Sequence, residues 1–159
     1  MTSQQVDLLQ QSFRLIKPVM ADAAVVFYER LFEIDPSLQR LFHRSAREQA
    51  RLLAETLTAV VSEIDRPAQL RRVIEALGPR YAATGVRDEN YLAVGEALLW
   101  TLENALKDAF TSDVRDAWMA AFSWLAFRVQ RATARCRPDA PVGEPTHTDL
   151  PPRPRSERS

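Results

Sequence analysis

Glycine, histidine and cysteine are scarce in this chain, and what it lacks narrows what it can be. The 159 residues hold four glycines, two histidines and one cysteine. A single cysteine, Cys136, excludes an intrachain disulfide and fits a reducing, cytoplasmic setting. No GxGxxG motif is present, so a glycine-rich nucleotide-binding turn is not expected. Only His43 lies in the part expected to fold; His147 is near the C-terminus. The formal net charge is zero, so nothing draws the chain as a whole to nucleic acid or to an anionic membrane. No apolar run is long enough to span a bilayer. The start, MTSQQVDLLQQ, lacks the basic and apolar regions of a signal peptide. No alternating strand pattern and no internal repeat appear.

Proline is the exception, and its placement divides the chain. Six of the ten prolines lie between Pro138 and Pro154. The segment RPDAPVGEPTHTDLPPRPRSERS has few large apolar residues to offset its ordering entropy. The expectation is a folded domain over 1–134 and a disordered Pro/Arg-rich tail over 135–159. PPRPR (151–155) has the look of a polyproline ligand, but a solvated tail is the plainer reading.

Helical periodicity fills the folded part. Thr2 and Gln5 have capping-box spacing ahead of Val6, Leu9, Phe13 and Ile16. Pro18 should start a new helix carrying Val19, Ala23, Val26, Phe27, Leu31 and Ile34. Asp35-Pro36 is a stop and restart, leading a short helix to about Leu41. After a loop at 42–46, Leu53, Leu57, Val60, Val61 and Ile64 form the next stripe. Asp65 should cap a helix through Leu70, Val73, Ile74 and Leu77, whose next inward position is Tyr81. Gly78-Pro79 should break or kink that helix. Asp88 should cap a helix through Tyr91, Val94, Leu98, Leu102 and Leu106. Thr111 should cap the last, through Val114, Trp118, Phe122, Leu125 and Val129. The fold class is therefore all-α. Trp100, Trp118 and Trp124 read as core or interface packing. Glu48, Arg51 and Glu55 read as a charged helix face.

Several stretches in this order resemble single-domain bacterial globins and the globin half of flavohaemoglobins. They are FYERLFEIDPSLQRLF (27–42), LGPRYAATGV (77–86), RDENYLAVGEALLWTLENALKDAF (87–110) and VRDAWMAAFSWLA (114–126). The resemblance covers roughly residues 4 to 134 and implies a globin fold around a haem b pocket. By it, Phe42 would pack on the haem face and Tyr28 would point its hydroxyl into the distal pocket. Leu52 falls where many globins place a distal histidine or glutamine, with Thr56 and Leu57 one turn further on. Val86, Tyr91, Val94, Leu98 and Phe122 match pocket-lining positions.

The chain departs from that pattern on the proximal side. Tyr81 stands where the family has its iron-binding histidine. Thr133 sits near where flavohaemoglobins place a glutamate that acts with a tyrosine matching Tyr91. Tyrosinate is an axial haem ligand in catalase, so Tyr81 is the candidate metal ligand. The other reading of Tyr81 is a core aromatic in a globin that has lost haem. His43 could reach the iron only by a loop rearrangement, and a solvated loop histidine is the simpler view. The resemblance thus implies a haem protein handling a small diatomic ligand or peroxide, with peroxidase-like chemistry in view. The absent GxGxxG motif sets an expectation of no reductase domain, the zero net charge and lack of a long apolar run set one of no nucleic-acid or membrane partner, and a homodimer stays open. The alternative is a haem-free globin fold serving as an interaction or signalling module.

Overall fold

The computed structural model describes residues 1–42, 45–84 and 86–136. Six α-helices account for most of them, and no strand occurs among the described residues. They are α1 (Ser3–Ile16), α2 (Met20–Ile34), α3 (Ala46–Ser62), α4 (Pro67–Thr84), α5 (Tyr91–Leu106) and α6 (Ser112–Cys136). The all-α expectation holds. No helix among the described residues is long and apolar enough to cross a membrane. The expectations for the tail, with His147 and PPRPR, fall outside the described residues, as does His43. Helix α6 runs to Cys136, which is exposed.

Helix α1 starts as its sequence requires. The Thr2 hydroxyl accepts from the Gln5 amide at 3.1 Å, and the Gln5 side chain accepts from the Thr2 amide at 3.0 Å. This satisfies two amides that the first turn would leave unpaired. Leu9, Phe13 and Ile16 are buried from its inner face. Ser12 is buried with them, and its hydroxyl accepts from the Trp118 indole N–H at 2.9 Å, tying α1 to α6.

Pro18 lies in a 3-10 turn, Lys17–Val19, and α2 begins one residue later. That shift turns Val19 outward and buries Met20 in its place, followed by Ala24, Phe27 and Leu31. Asp35 ends α2, and its side chain accepts from the Ser37 amide to open the 3-10 segment Pro36–Leu41. Helix α3 has a capping box of its own, Ser45 with Glu48. Glu48 therefore does more than decorate a charged face, whereas Arg51 and Glu55 form an exposed ion pair at 3.0 Å.

Helix α4 differs from expectation in its start and in its continuity. Asp65 does not cap it. Proline at the first helical position needs no amide partner, so the helix opens at Pro67, and the Arg66 carbonyl accepts from the Leu70 amide. Nor does Gly78-Pro79 break it, since the helix continues to Thr84. Pro79 removes the bond to the Glu75 carbonyl. Pro79 and Glu75 are both exposed, so water can take that bond. Gly78 has another use. A Cβ there would lie 2.9 Å from the Ala132 Cβ, so glycine lets α4 press against α6. Gly95 plays the same part between α5 and α6, where a Cβ would meet the Phe122 ring at 2.8 Å.

Asp88 likewise fails to cap α5. It begins a 3-10 turn, Asp88–Asn90, and the Asn90 carboxamide accepts from the Arg87 amide at 2.9 Å. Thr111 caps α6 as expected, accepting from the Val114 amide at 3.3 Å.

The core has two parts. The larger joins α1, α2, α5 and α6 through residues such as Leu9, Phe27, Leu31, Leu98, Leu102 and Trp118. The smaller joins α3, α4 and α6 through Val60, Leu70, Ile74, Leu77 and Val129. Helix α6 contributes to both, and a crevice lies where the two clusters meet.

Candidate functional site

The crevice opens between α3 and α4 with a volume of about 560 Å³. Its outer wall includes Leu41, Gln49, Leu52, Pro79, Arg80 and Ala83. Deeper in, an apolar recess of about 80 Å³ is closed by Phe27, Leu31, Val86, Tyr91, Val94 and Phe122. The two spaces share Tyr28, Phe42, Leu53, Thr56, Leu77 and Tyr81 as walls. The recess thus adjoins the crevice at these six side chains, and in this hollow the crevice alone lies in the range of about 300–1,000 Å³ usual for small-molecule and cofactor sites.

Nine of the residues singled out from the sequence meet here: Tyr28, Phe42, Leu52, Thr56, Tyr81, Val86, Tyr91, Val94 and Phe122. Leu57 and Leu98 do not. They line a separate apolar cavity of about 20 Å³ beside it, with Ile16, Met20 and Trp118. Phe27 and Leu53 form walls of both that cavity and the recess. Sequence reading missed Leu53 and Leu77 as walls of the hollow. Both stand on inward stripes, so the signal is there, but a stripe does not say which part of the interior a residue reaches.

Aromatic packing fixes the Tyr28 ring. It meets Phe27 edge-on at 5.1 Å, Phe42 edge-on at 5.5 Å and Phe32 at 6.0 Å between centroids. Phe42 is held in turn by the 3-10 segment that Asp35 opens. Tyr81 reaches the hollow because it lies one turn beyond Leu77 on α4. Burial raises the pKa of both phenols. For Tyr28 the nearby Tyr81 adds to the effect, because a charge on one disfavours a charge on the other. Both are neutral donors at neutral pH. Thr133 is buried, and its hydroxyl reaches the Gly78 carbonyl at 3.5 Å.

A haem group passes a test of fit here. The hollow is large enough, its inner walls are apolar and aromatic, and two tyrosines, Tyr28 and Tyr81, stand among those walls. Arg80 offers a cation on the outer wall for carboxylates. No cluster of three His, Cys, Asp or Glu side chains that could hold a bare metal ion occurs among the described residues.

A bundle of strand-free helices parted by an aromatic-walled hollow defines a class of all-α pocket proteins. The globin family model matches residues 25–128, and the chain belongs to the globin family. It is 30% identical over 129 residues to a flavohaemoprotein of Vibrio cholerae, covering 79% of this chain and 33% of that protein. The chain thus spans about a third of the flavohaemoprotein's length. A neuroglobin of Tetraodon nigroviridis is 27% identical over 149 residues, covering 85% of this chain and 94% of the relative. Among solved structures, a hexacoordinated haem protein from an anhydrobiotic tardigrade superposes with a TM-score of 0.77 at 17% identity. That match covers 84% of this chain and 96% of the other, and it shows the shared fold.

Proposed function

We propose that this globin binds one haem b in the hollow, with the Tyr81 phenolate as proximal iron ligand and the Tyr28 hydroxyl as hydrogen-bond donor to a small iron-bound ligand. One observation carries the reading. Tyr28 from α2 and Tyr81 from α4 line the same apolar hollow, and no histidine is among the described residues that line it. The relatives named flavohaemoproteins support a haem in that space.

When bound, haem supplies an iron centre that accepts small ligands such as a diatomic gas or peroxide. The protein's own part follows from its side chains. Burial keeps the Tyr81 phenol protonated, so a phenolate forms only where a positive charge offsets that cost, as ferric iron does. A hard anionic oxygen favours ferric over ferrous iron. That preference suits peroxide chemistry better than reversible oxygen carriage. Phe42 and Phe122 give the hollow apolar walls, while Tyr28 keeps a proton to donate. Thr133 supplies no carboxylate, and its hydroxyl is directed to the Gly78 carbonyl.

Titrating haemin into the haem-free protein tests this. Absorbance should saturate at one equivalent, and thermal stability should rise with haemin concentration, because a ligand that binds only the native state stabilises it. Absence of saturable uptake would reject the haem reading and leave the fold as an interaction module.

A further inference from the structure

The outward face of α6 carries a pattern that the hollow does not use and of which the core takes only Trp124, packed against the smaller cluster and covered by the Arg128 guanidinium at 5.1 Å. At 100° per residue, positions 113, 116, 120, 123, 124, 127, 131 and 135 fall along one strip of the helix. Its N-terminal end is acidic, with Asp113 and Asp116 exposed. Its C-terminal end is basic, with Arg131 and Arg135 exposed. Between them the strip is small or aromatic: Ala120, Ser123, a half-buried Trp124 and Phe127, which is 55% exposed. The Arg131 guanidinium lies 5.6 Å above the Phe127 ring. None of the four charged residues forms an ion pair within the chain among the described residues.

Acids near the start and bases near the end of a helix complement its dipole. That explains the signs of Asp113 and Arg135. It leaves unexplained an exposed phenylalanine on the same strip, and it does not require the charges to be spaced symmetrically. The midpoint between Asp113 and Arg135 is residue 124. The midpoint between Asp116 and Arg131 falls between 123 and 124, and that between Ala120 and Phe127 falls there too. The strip is therefore complementary to itself when reversed.

We propose that this face of α6 pairs antiparallel with the same face of a second copy of the chain, about a two-fold axis at Ser123–Trp124. An isologous contact of this kind closes after two copies. Asp116 of each copy then faces Arg131 of the other, and Asp113 faces Arg135. Each Phe127 covers the small Ala120 across the axis, removing the exposed ring from water. A parallel arrangement would place acid on acid and base on base. The strip is about 33 Å long at 1.5 Å per residue and one helix wide, so the contact belongs with small, transient interfaces. Its ion pairs lie at the rim, so salt should weaken it.

Sedimentation velocity on the full chain, from micromolar to millimolar concentration, tests the pairing. A monomer–dimer equilibrium is expected, shifted toward monomer by high salt. Asp116→Arg alone should be monomeric, because the introduced guanidinium would then face Arg131. Arg131→Asp alone should also be monomeric, because two acids would meet. Mixing the two variants should restore a dimer containing one of each. Circular dichroism checks that both remain helical; if a reversal unfolds the chain, Asp116→Asn and Arg131→Gln replace the pair, and each should weaken the dimer. The proposal is overturned by a wild-type chain that stays monomeric throughout. It is overturned equally by single variants that dimerise as the wild type does, or by folded charge-reversed variants that stay apart when mixed.

Discussion

The Asn90 carboxamide N–H donates to the Asp35 carboxylate at 3.3 Å, joining two turns 55 residues apart. Asp35 stands ahead of the segment that delivers Phe42 to the hollow, and Asn90 stands immediately before Tyr91. Each also organises its own turn, Asp35 by accepting from the Ser37 amide and Asn90 by accepting from the Arg87 amide. One contact thus fixes the spacing between two walls of the site.

Asn90→Ala should therefore destabilise the protein by about 1–3 kcal/mol, since a buried donor and a turn acceptor are both lost. Thermal or urea unfolding measures this. Asp88→Ala, two residues earlier and exposed, should change stability by less than about 0.5 kcal/mol. Equal effects would contradict the assignment of the turn to Asn90.

Gly78→Ala should lower stability by about 1–3 kcal/mol through overpacking, although alanine favours a helix by about 1 kcal/mol over glycine. The cause is the 2.9 Å approach of a new Cβ to Ala132. Adding Ala132→Gly should recover part of the loss, and the double-mutant cycle should show coupling. Purely additive effects would mean that the crossing of α4 and α6 does not need glycine.

The phenols of the half-buried Tyr28 and Tyr81 give a pH dependence whose sign is fixed. Their folded pKa values lie above the value of about 10 for free tyrosine. The native state therefore holds protons that the unfolded chain gives up. Stability from this source is complete below pH about 10 and falls as the pH rises beyond it. A Tyr28→Phe/Tyr81→Phe double variant of the haem-free protein should lose less stability than the wild type over that alkaline range. Parallel curves in urea titrations at successive pH values would contradict the burial of both phenols.

Much of this fold is legible from spacing alone. The stripe Leu9, Phe13, Ile16 gives α1, and the step from Leu77 to Tyr81 carries the tyrosine into the hollow. Helix ends are less legible. Asp65 and Asp88 have suitable side chains for caps, yet a proline at 67 and the Asn90 side chain set the actual starts. The Ser45–Glu48 box is present in the sequence but hidden at the edge of an expected loop. Gly78-Pro79 reads as a break because the reason for its glycine lies 54 positions away, at Ala132. Leu57 and Leu98 do face inward, as their stripes require. Their angle on the helix is in the sequence, whereas the partition of the interior into two cavities depends on how Phe27 and Leu53 pack between them.

The central claim is that Tyr81 ligates the iron, and the absorption spectrum of the haemin-loaded protein tests it most directly. The wild type should show a phenolate-to-iron charge-transfer band in the ferric state. That band should vanish in Tyr81→Phe, and Tyr81→His should give a histidine-type spectrum with a higher reduction potential, because a neutral nitrogen stabilises ferric iron less than an anionic oxygen. A Tyr81→Phe protein that takes up haemin equally well with unchanged bands would contradict the account.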